Sequence, residues 1–224
     1  NMSRITVGPE SAGAIPGPAC YGQNGSDATV TDADVVLGRI NPEGFAGGAV
    51  DLQPEMAGRA LEKAVGEKLT LDATLSAFGV SEIVDENMAN AARVHAIEWG
   101  KDISARSMIA FGGAAPLHAS RLAEKLNIDE VIIPSGAGVG SAIGFLRAPI
   151  SYEVVRSRFV SLSDFDPEIV NALLDEMSNE ASEIVSLGAG SKDLVEQRLA
   201  YMRYHGQGHE IVVSVPVRKL NKSD

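Results

Sequence analysis

Ser107-Met-Ile-Ala-Phe-Gly-Gly-Ala-Ala-Pro-Leu-His-Ala119 reads as a short apolar strand that stops at a glycine pair and turns at once into a helix with Pro116 in its first turn. The first amides of such a helix lack carbonyl partners, and the helix dipole adds positive potential at the same point. A phosphate, carboxylate or polarised oxygen suits that position. This turn is therefore the first candidate for chemistry. Strand–Gly-Gly–helix turns also serve as plain packing elements, and the residues alone leave both readings open.

The surrounding sequence extends the pattern. The helix is expected to run from Pro116 to about Leu126, and Val131-Ile132-Ile133 follows as a short, β-branched, buried strand. Strand, helix and strand in that order make one right-handed βαβ unit of a parallel sheet, which places the chain in the α/β class. Upstream, Pro54 opens a helix carrying Met56, Ala57, Ala60, Leu61, Ala64 and Val65. Thr70 is expected to cap a short helix stopping at Gly79, and Ser81 to cap a longer one that ends before Gly100. The first fifty residues are dense in Gly, Pro, Ser and Asp and show little periodicity, so a segment upstream of them is expected to pack against them. After Pro149 the character changes. Tyr152 to Leu162 reads as a strand, Asp166 caps a helix ending at Gly188, and Val195–Tyr204 and Glu210–Val217 read as a hairpin. A boundary near residue 150 separates domains 1–150 and 151–224.

The formal charge of −11 disfavours binding to phosphodiester backbones, so nucleic acid is not an expected partner. No apolar run approaches the roughly 20 residues of a membrane span, and no membrane partner is expected. A lone Cys20 excludes an intrachain disulfide and fits a cytoplasmic setting. Neither GxxxxGK[ST] nor GxSxG occurs. Gly136-x-Gly138-x-Gly140 departs from the dinucleotide-binding spacing and reads as a turn in which backbones approach closely. His205 and His209 are four apart with two glycines between them, and four extended residues span roughly 13 Å. No metal site is assigned to them. His95 reads as packing or surface, and Cys20 as structural. Glu10, Asp27, Asp32 and Asp34 form a loose acidic group of the kind that either holds Mg beside phosphates or caps turns, and Asp32 is well placed as a cap.

Several segments together resemble the hydantoinase A/5-oxoprolinase family, which includes subunits of acetone and acetophenone carboxylases. They are Val7-Gly-Pro-Glu-Ser-Ala-Gly-Ala14, Pro16-Gly-Pro-Ala-Cys-Tyr-Gly22, Thr29-Val-Thr-Asp-Ala-Asp-Val-Val-Leu-Gly-Arg39, Asn87-Met-Ala-Asn-Ala-Ala-Arg93, Ala110-Phe-Gly-Gly-Ala-Ala-Pro-Leu-His-Ala119, Ser141-Ala-Ile-Gly144 and Met202-Arg-Tyr-His-Gly-Gln207. The resemblance implies part of an actin/Hsp70/sugar-kinase-like ATPase lobe followed by a smaller α+β segment. It implies ATP with Mg as cofactor, with Gly112, Gly113 and Ala114 in a nucleotide-contacting loop and Ala115, His118 and Ser141 on the same motifs. Ala115 stands where the family usually has glycine, adding a methyl where a ligand would approach.

The implied activity is ATP-dependent opening of a cyclic amide, such as a hydantoin or 5-oxoproline, with a hydantoinase B-type partner subunit. A subunit of an ATP-dependent ketone carboxylase is the alternative. The family's phosphate loops are missing from these 224 residues, so by the resemblance the chain is a fragment. On that reading it is a non-catalytic module by itself, with a surface that favours a homo-oligomer.

Overall fold

In a computed structural model, which describes residues 4–190 and 193–223, the chain divides into two compact units, 1–146 and 147–224. In the first unit, α1 (Val30–Val36), α2 (Pro54–Leu61), a π turn (Glu62–Gly66), α3 (Glu67–Leu69) and α4 (Ala73–Glu98) precede the βαβ element. That element is β1 (Met108–Ile109), α5 (Ala115–Leu126) and β2 (Val131–Ile132), and α6 (Gly140–Arg147) follows it. The strands pair in parallel, Met108 with Val131 and Ile109 with Ile132, which gives the crossover read from the sequence. Met108 and Val131 pack against Ala89, Ala123, Leu126 and Ile128, so one face of the strand pair rests on α4 and α5.

Helix α4 differs from the two-helix expectation. Asp72, not Thr70, caps it by accepting the Leu75 N–H at 2.7 Å. Thr70 instead closes α3 in a left-handed conformation. Gly79 does not stop the helix, because its missing side chain makes room for Ile5: a Cβ there would lie 2.6 Å from the Ile5 Cδ1. Ser81 lies buried inside the helix rather than at its start. The glycine thus records a close approach to α4 rather than a helix end.

The first fifty residues also find their packing inside this unit. Cys20, Val35, Leu52 and Ala57 form one apolar cluster, and Ala33, Leu61, Ala77 and Val80 form a second with Ile5 and Val7 against it. Alanines at the crossings of α1, α2 and α4 let the helices approach closely. The Gln53 N–H donates to the Cys20 carbonyl at 2.8 Å and ties the irregular segment to the start of α2.

In the second unit, α7 (Pro167–Ala189) is capped by Asp166, which accepts the Glu168 N–H at 2.9 Å. The antiparallel pair β3 (Arg198–Met202) and β4 (Ile211–Val215) closes with Met202 opposite Ile211, so the expected hairpin is present. The Asn171 side chain bonds both the N–H and the carbonyl of Leu220, at 2.8 and 2.9 Å, and holds the last segment to α7. The strand expected over 152–162 is absent. Among the described residues no strand pairs with that stretch, and its β-prone composition has no ladder to join. No helix among the described residues is long and apolar enough to cross a membrane.

Candidate functional site

The turn between β1 and α5 keeps its amides open. Gly112 adopts φ +102°, a conformation suited to glycine, and a Cβ on Gly112 or Gly113 would meet nothing within 4 Å. Ala114 occupies the N-cap of α5 without any side-chain capping bond. The N–H groups of Gly113, Ala114 and Ala115 make no hydrogen bond among the described residues, and all three residues are exposed.

The glycine-rich turn after β2 closes against this loop. The Gly112 N–H donates to the Ala137 carbonyl at 2.7 Å. A side chain on Gly140 would meet the Phe111 ring at 3.2 Å, so the glycine there permits the approach. Ser141, exposed in the first turn of α6, follows directly. Two loops at the carboxyl ends of neighbouring parallel strands are thereby joined, the usual place for ligands in α/β sheets.

His118 sits differently from the glycines before it. It is 5% exposed, and both ring nitrogens are occupied: Nδ1 lies 2.8 Å from Asp85 Oδ1 and Nε2 lies 3.3 Å from Asp34 Oδ2. Asp34 comes from α1 and Asp85 from α4, so the first turn of α5 is gripped by two helices. Arg39 completes the group, with its Nη1 3.1 Å from Asp34 Oδ1 and 3.4 Å from His118 Nδ1. Ser81 donates to the remaining oxygen of Asp85 at 3.4 Å. The Asp34 carboxylate, and Asp85 with it, raises the His118 pKa above the ordinary 6.5 against the opposing effect of burial. Imidazolium and guanidinium then balance two carboxylates in a buried network.

Asp32 serves structure nearby. Its Oδ1 accepts the Cys20 N–H at 2.7 Å; its Oδ2 accepts the N–H groups of Ala19 and Thr29 and the Thr29 hydroxyl, at 3.3, 2.9 and 2.8 Å. With the Thr29 side chain accepting the Asp32 N–H this is a capping box for α1. Burial first, and Asp32 after it, push the Cys20 thiol up to about 12, so it stays protonated and inert.

The later turns of α5 are held separately. Arg121 and Lys125 bond Glu82 of α4 at 2.8 and 3.0 Å, Lys125 reaches Glu86 at 3.2 Å, and the Arg93 guanidinium donates to the Lys125 carbonyl at 2.6 Å. Arg121, then Lys125, lowers the Glu82 pKa to about 2. The more exposed Arg121 pair contributes little by itself, whereas Lys125 and Glu82 are partly buried and the set acts as a network.

In the sequence, Asp34 and His118 stand out separately and Asp85 does not. The signal was present, because Asp85 shares the buried side of α4 with Ala77, Val80 and Ala89, and a carboxylate on an apolar helix face calls for a partner. His205 and His209 are exposed between β3 and β4. Among the described residues no group of His, Cys, Asp and Glu has the geometry to hold a metal ion.

The hydantoinase/oxoprolinase family profile matches residues 1–154. The chain is 33% identical to the caprolactamase alpha subunit of Pseudomonas jessenii, over 100% of its own length and 33% of that protein's. It is 33% identical to the acetophenone carboxylase gamma subunit of Aromatoleum aromaticum, over 99% of its own length and 31% of that subunit's. The crystal structure of the ATP-dependent caprolactamase from P. jessenii aligns with a TM-score of 0.67 at 32% identity, over 96% of this chain and 32% of that one. The chain thus spans about a third of the length of these relatives. With the family's glycine loop seated at the ends of two parallel strands and its profile covering most of the sequence, the chain belongs to the hydantoinase/oxoprolinase family.

Proposed function

We propose that this chain supplies one wall of the nucleotide site of an ATP-dependent enzyme that activates a cyclic amide for hydrolysis. The observation that carries the reading is the set of unpaired amides of Gly113, Ala114 and Ala115 at the uncapped start of α5. They fit an anionic or polarised oxygen, and the open space over Gly112 and Gly113 leaves room for it. The caprolactamase relative, described as ATP-dependent, supports the choice of nucleotide. On this reading residues 1–150 belong to an actin-like ATPase lobe and residues 151–224 begin the following α+β domain.

When bound, ATP supplies the phosphoryl group that makes a carbonyl oxygen a leaving group. The residues of this chain hold and orient. The amides of Gly113, Ala114 and Ala115 donate to nucleotide oxygens, and the Ser141 hydroxyl offers a further donor from the adjoining turn. Gly112 sets the bend of the loop with its positive φ, and Ala115 adds a methyl beside it. His118 contributes from beneath, since its nitrogens are already engaged. No carboxylate lies in these two loops, so their residues would hold nucleotide oxygens rather than a Mg ion. The site works by positioning and charge stabilisation, in the cytoplasm and beside a hydantoinase B-type partner subunit.

A second substrate class is favoured to the same degree by one observation, the equal 33% identity to an acetophenone carboxylase subunit. Phosphate release dependent on a lactam, hydantoin or 5-oxoproline marks the amide reading. Release dependent on a ketone with bicarbonate marks the carboxylase reading.

The nucleotide assignment is tested by calorimetry with Mg-ATP on the protein as expressed from its own gene. Gly113→Glu places a negative charge in open space at the loop and is expected to weaken binding about tenfold or more, while Gly113→Ala stays close to the parent. Equal affinities for the parent and Gly113→Glu would overturn the assignment.

A further inference from the structure

We infer that Asp34 and Asp85 are positioning residues for the Gly112–Ala115 loop: by gripping the two ring nitrogens of His118 they fix the first turn of α5 and so aim the loop amides at the ligand. The inference rests on the nucleotide reading of that loop and extends it to residues from two other helices.

The loop has little to orient it from within. Its start is uncapped, and among the described residues its one backbone tie to a neighbouring loop is the Gly112 bond to Ala137. The direction of the free amides therefore follows the placement of the turn that contains them. That turn carries His118, and no other side chain of the turn makes a polar contact among the described residues. The groups that face the imidazole are Asp34 from α1, Arg39 from the segment after α1, and Asp85, backed by Ser81, from α4. Every carboxylate oxygen in the network has a partner, which gives the ring one stable seat.

The clamp is separable from the docking of the helix as a whole. Arg121 and Lys125 hold the later turns of α5 to Glu82 and Glu86, and Arg93 holds its last turn. The core contacts of Ala123 and Leu126 lie at the same far end. Loosening the grip on His118 therefore releases the loop end of α5 while the far end stays packed. The raised His118 pKa agrees with an imidazolium held between two carboxylates.

Asp85→Asn keeps the size and one acceptor of the side chain and removes the charge. In the protein as expressed from its own gene, amide exchange at Gly112 and Leu117, which bond Ala137 and Ala114, is expected to accelerate about tenfold. Exchange at Ile128, bonded to Ala123 beyond the far clamp, stays at the parent rate. Affinity for Mg-ATP falls roughly ten- to a hundredfold, the scale of a small misplacement of binding groups. Arg39→Gln, a milder change at a partly exposed residue, shifts both readouts in the same direction by less.

Uniform acceleration at all three amides would mean a merely structural role and would overturn the inference. So would unchanged Mg-ATP affinity in Asp85→Asn where Gly113→Glu weakens it, and that outcome leaves the nucleotide reading standing. Absence of Mg-ATP binding by the parent removes the nucleotide reading and this inference with it.

Discussion

His118→Leu is expected to destabilise the first unit by about 3–5 kcal/mol at pH 6, the cost of breaking a buried ion pair from one side. Leucine fills the space but leaves Asp34 and Asp85 buried, with Arg39 and Ser81 as the remaining partners. The sign with pH follows from the direction of the titration. The folded pKa of His118 lies above 6.5, so its contribution is complete below that value and is lost as pH rises through the folded pKa. The stability difference between parent and variant should therefore be largest in mild acid and narrow on the alkaline side. Urea titrations followed by circular dichroism at a series of pH values measure both features. A difference below about 1 kcal/mol at pH 6, or one that widens with pH, would contradict the network as described.

Asp32→Ala is expected to cost about 3 kcal/mol, because it strands two buried and two part-buried donors and removes a helix cap at once. The donors are the N–H groups of Ala19, Cys20 and Thr29 and the Thr29 hydroxyl. They belong to the irregular segment before α1, which has little regular structure of its own. Losing the carboxylate should therefore loosen residues 19–29 ahead of the rest. The same urea titration gives the stability, and a neutral thiol reagent reports the loosening as faster modification of Cys20, which is fully buried in the parent. A variant within about 1 kcal/mol of the parent, with Cys20 still unreactive, would show that other groups organise this segment.

The parts of the fold carried by local periodicity were legible in the sequence. The βαβ element around Gly112, the Asp166-capped α7 and the β3–β4 hairpin all follow from apolar spacing and turn chemistry. What was not legible depended on contacts distant in sequence. Gly79 looks like a helix end until Ile5 is placed against it, and 152–162 looks like a strand because composition carries no information about a pairing partner. The candidate site divides in the same way. Its glycine loop is visible as a motif, and His118 lies within it. The role of the histidine was hidden because its partners, Asp34 and Asp85, lie 84 and 33 positions away on other helices. A charged residue on an apolar face announces that a partner exists without saying which one.

The proposed nucleotide site rests on the unpaired amides at the start of α5. The most direct test is a crystal structure of the protein with Mg and a non-hydrolysable ATP analogue. The account predicts nucleotide oxygens within hydrogen-bond distance of the Gly113 and Ala114 amides, with His118 still seated between Asp34 and Asp85. A nucleotide bound away from this loop, or His118 swung out to contact it directly, would contradict the account.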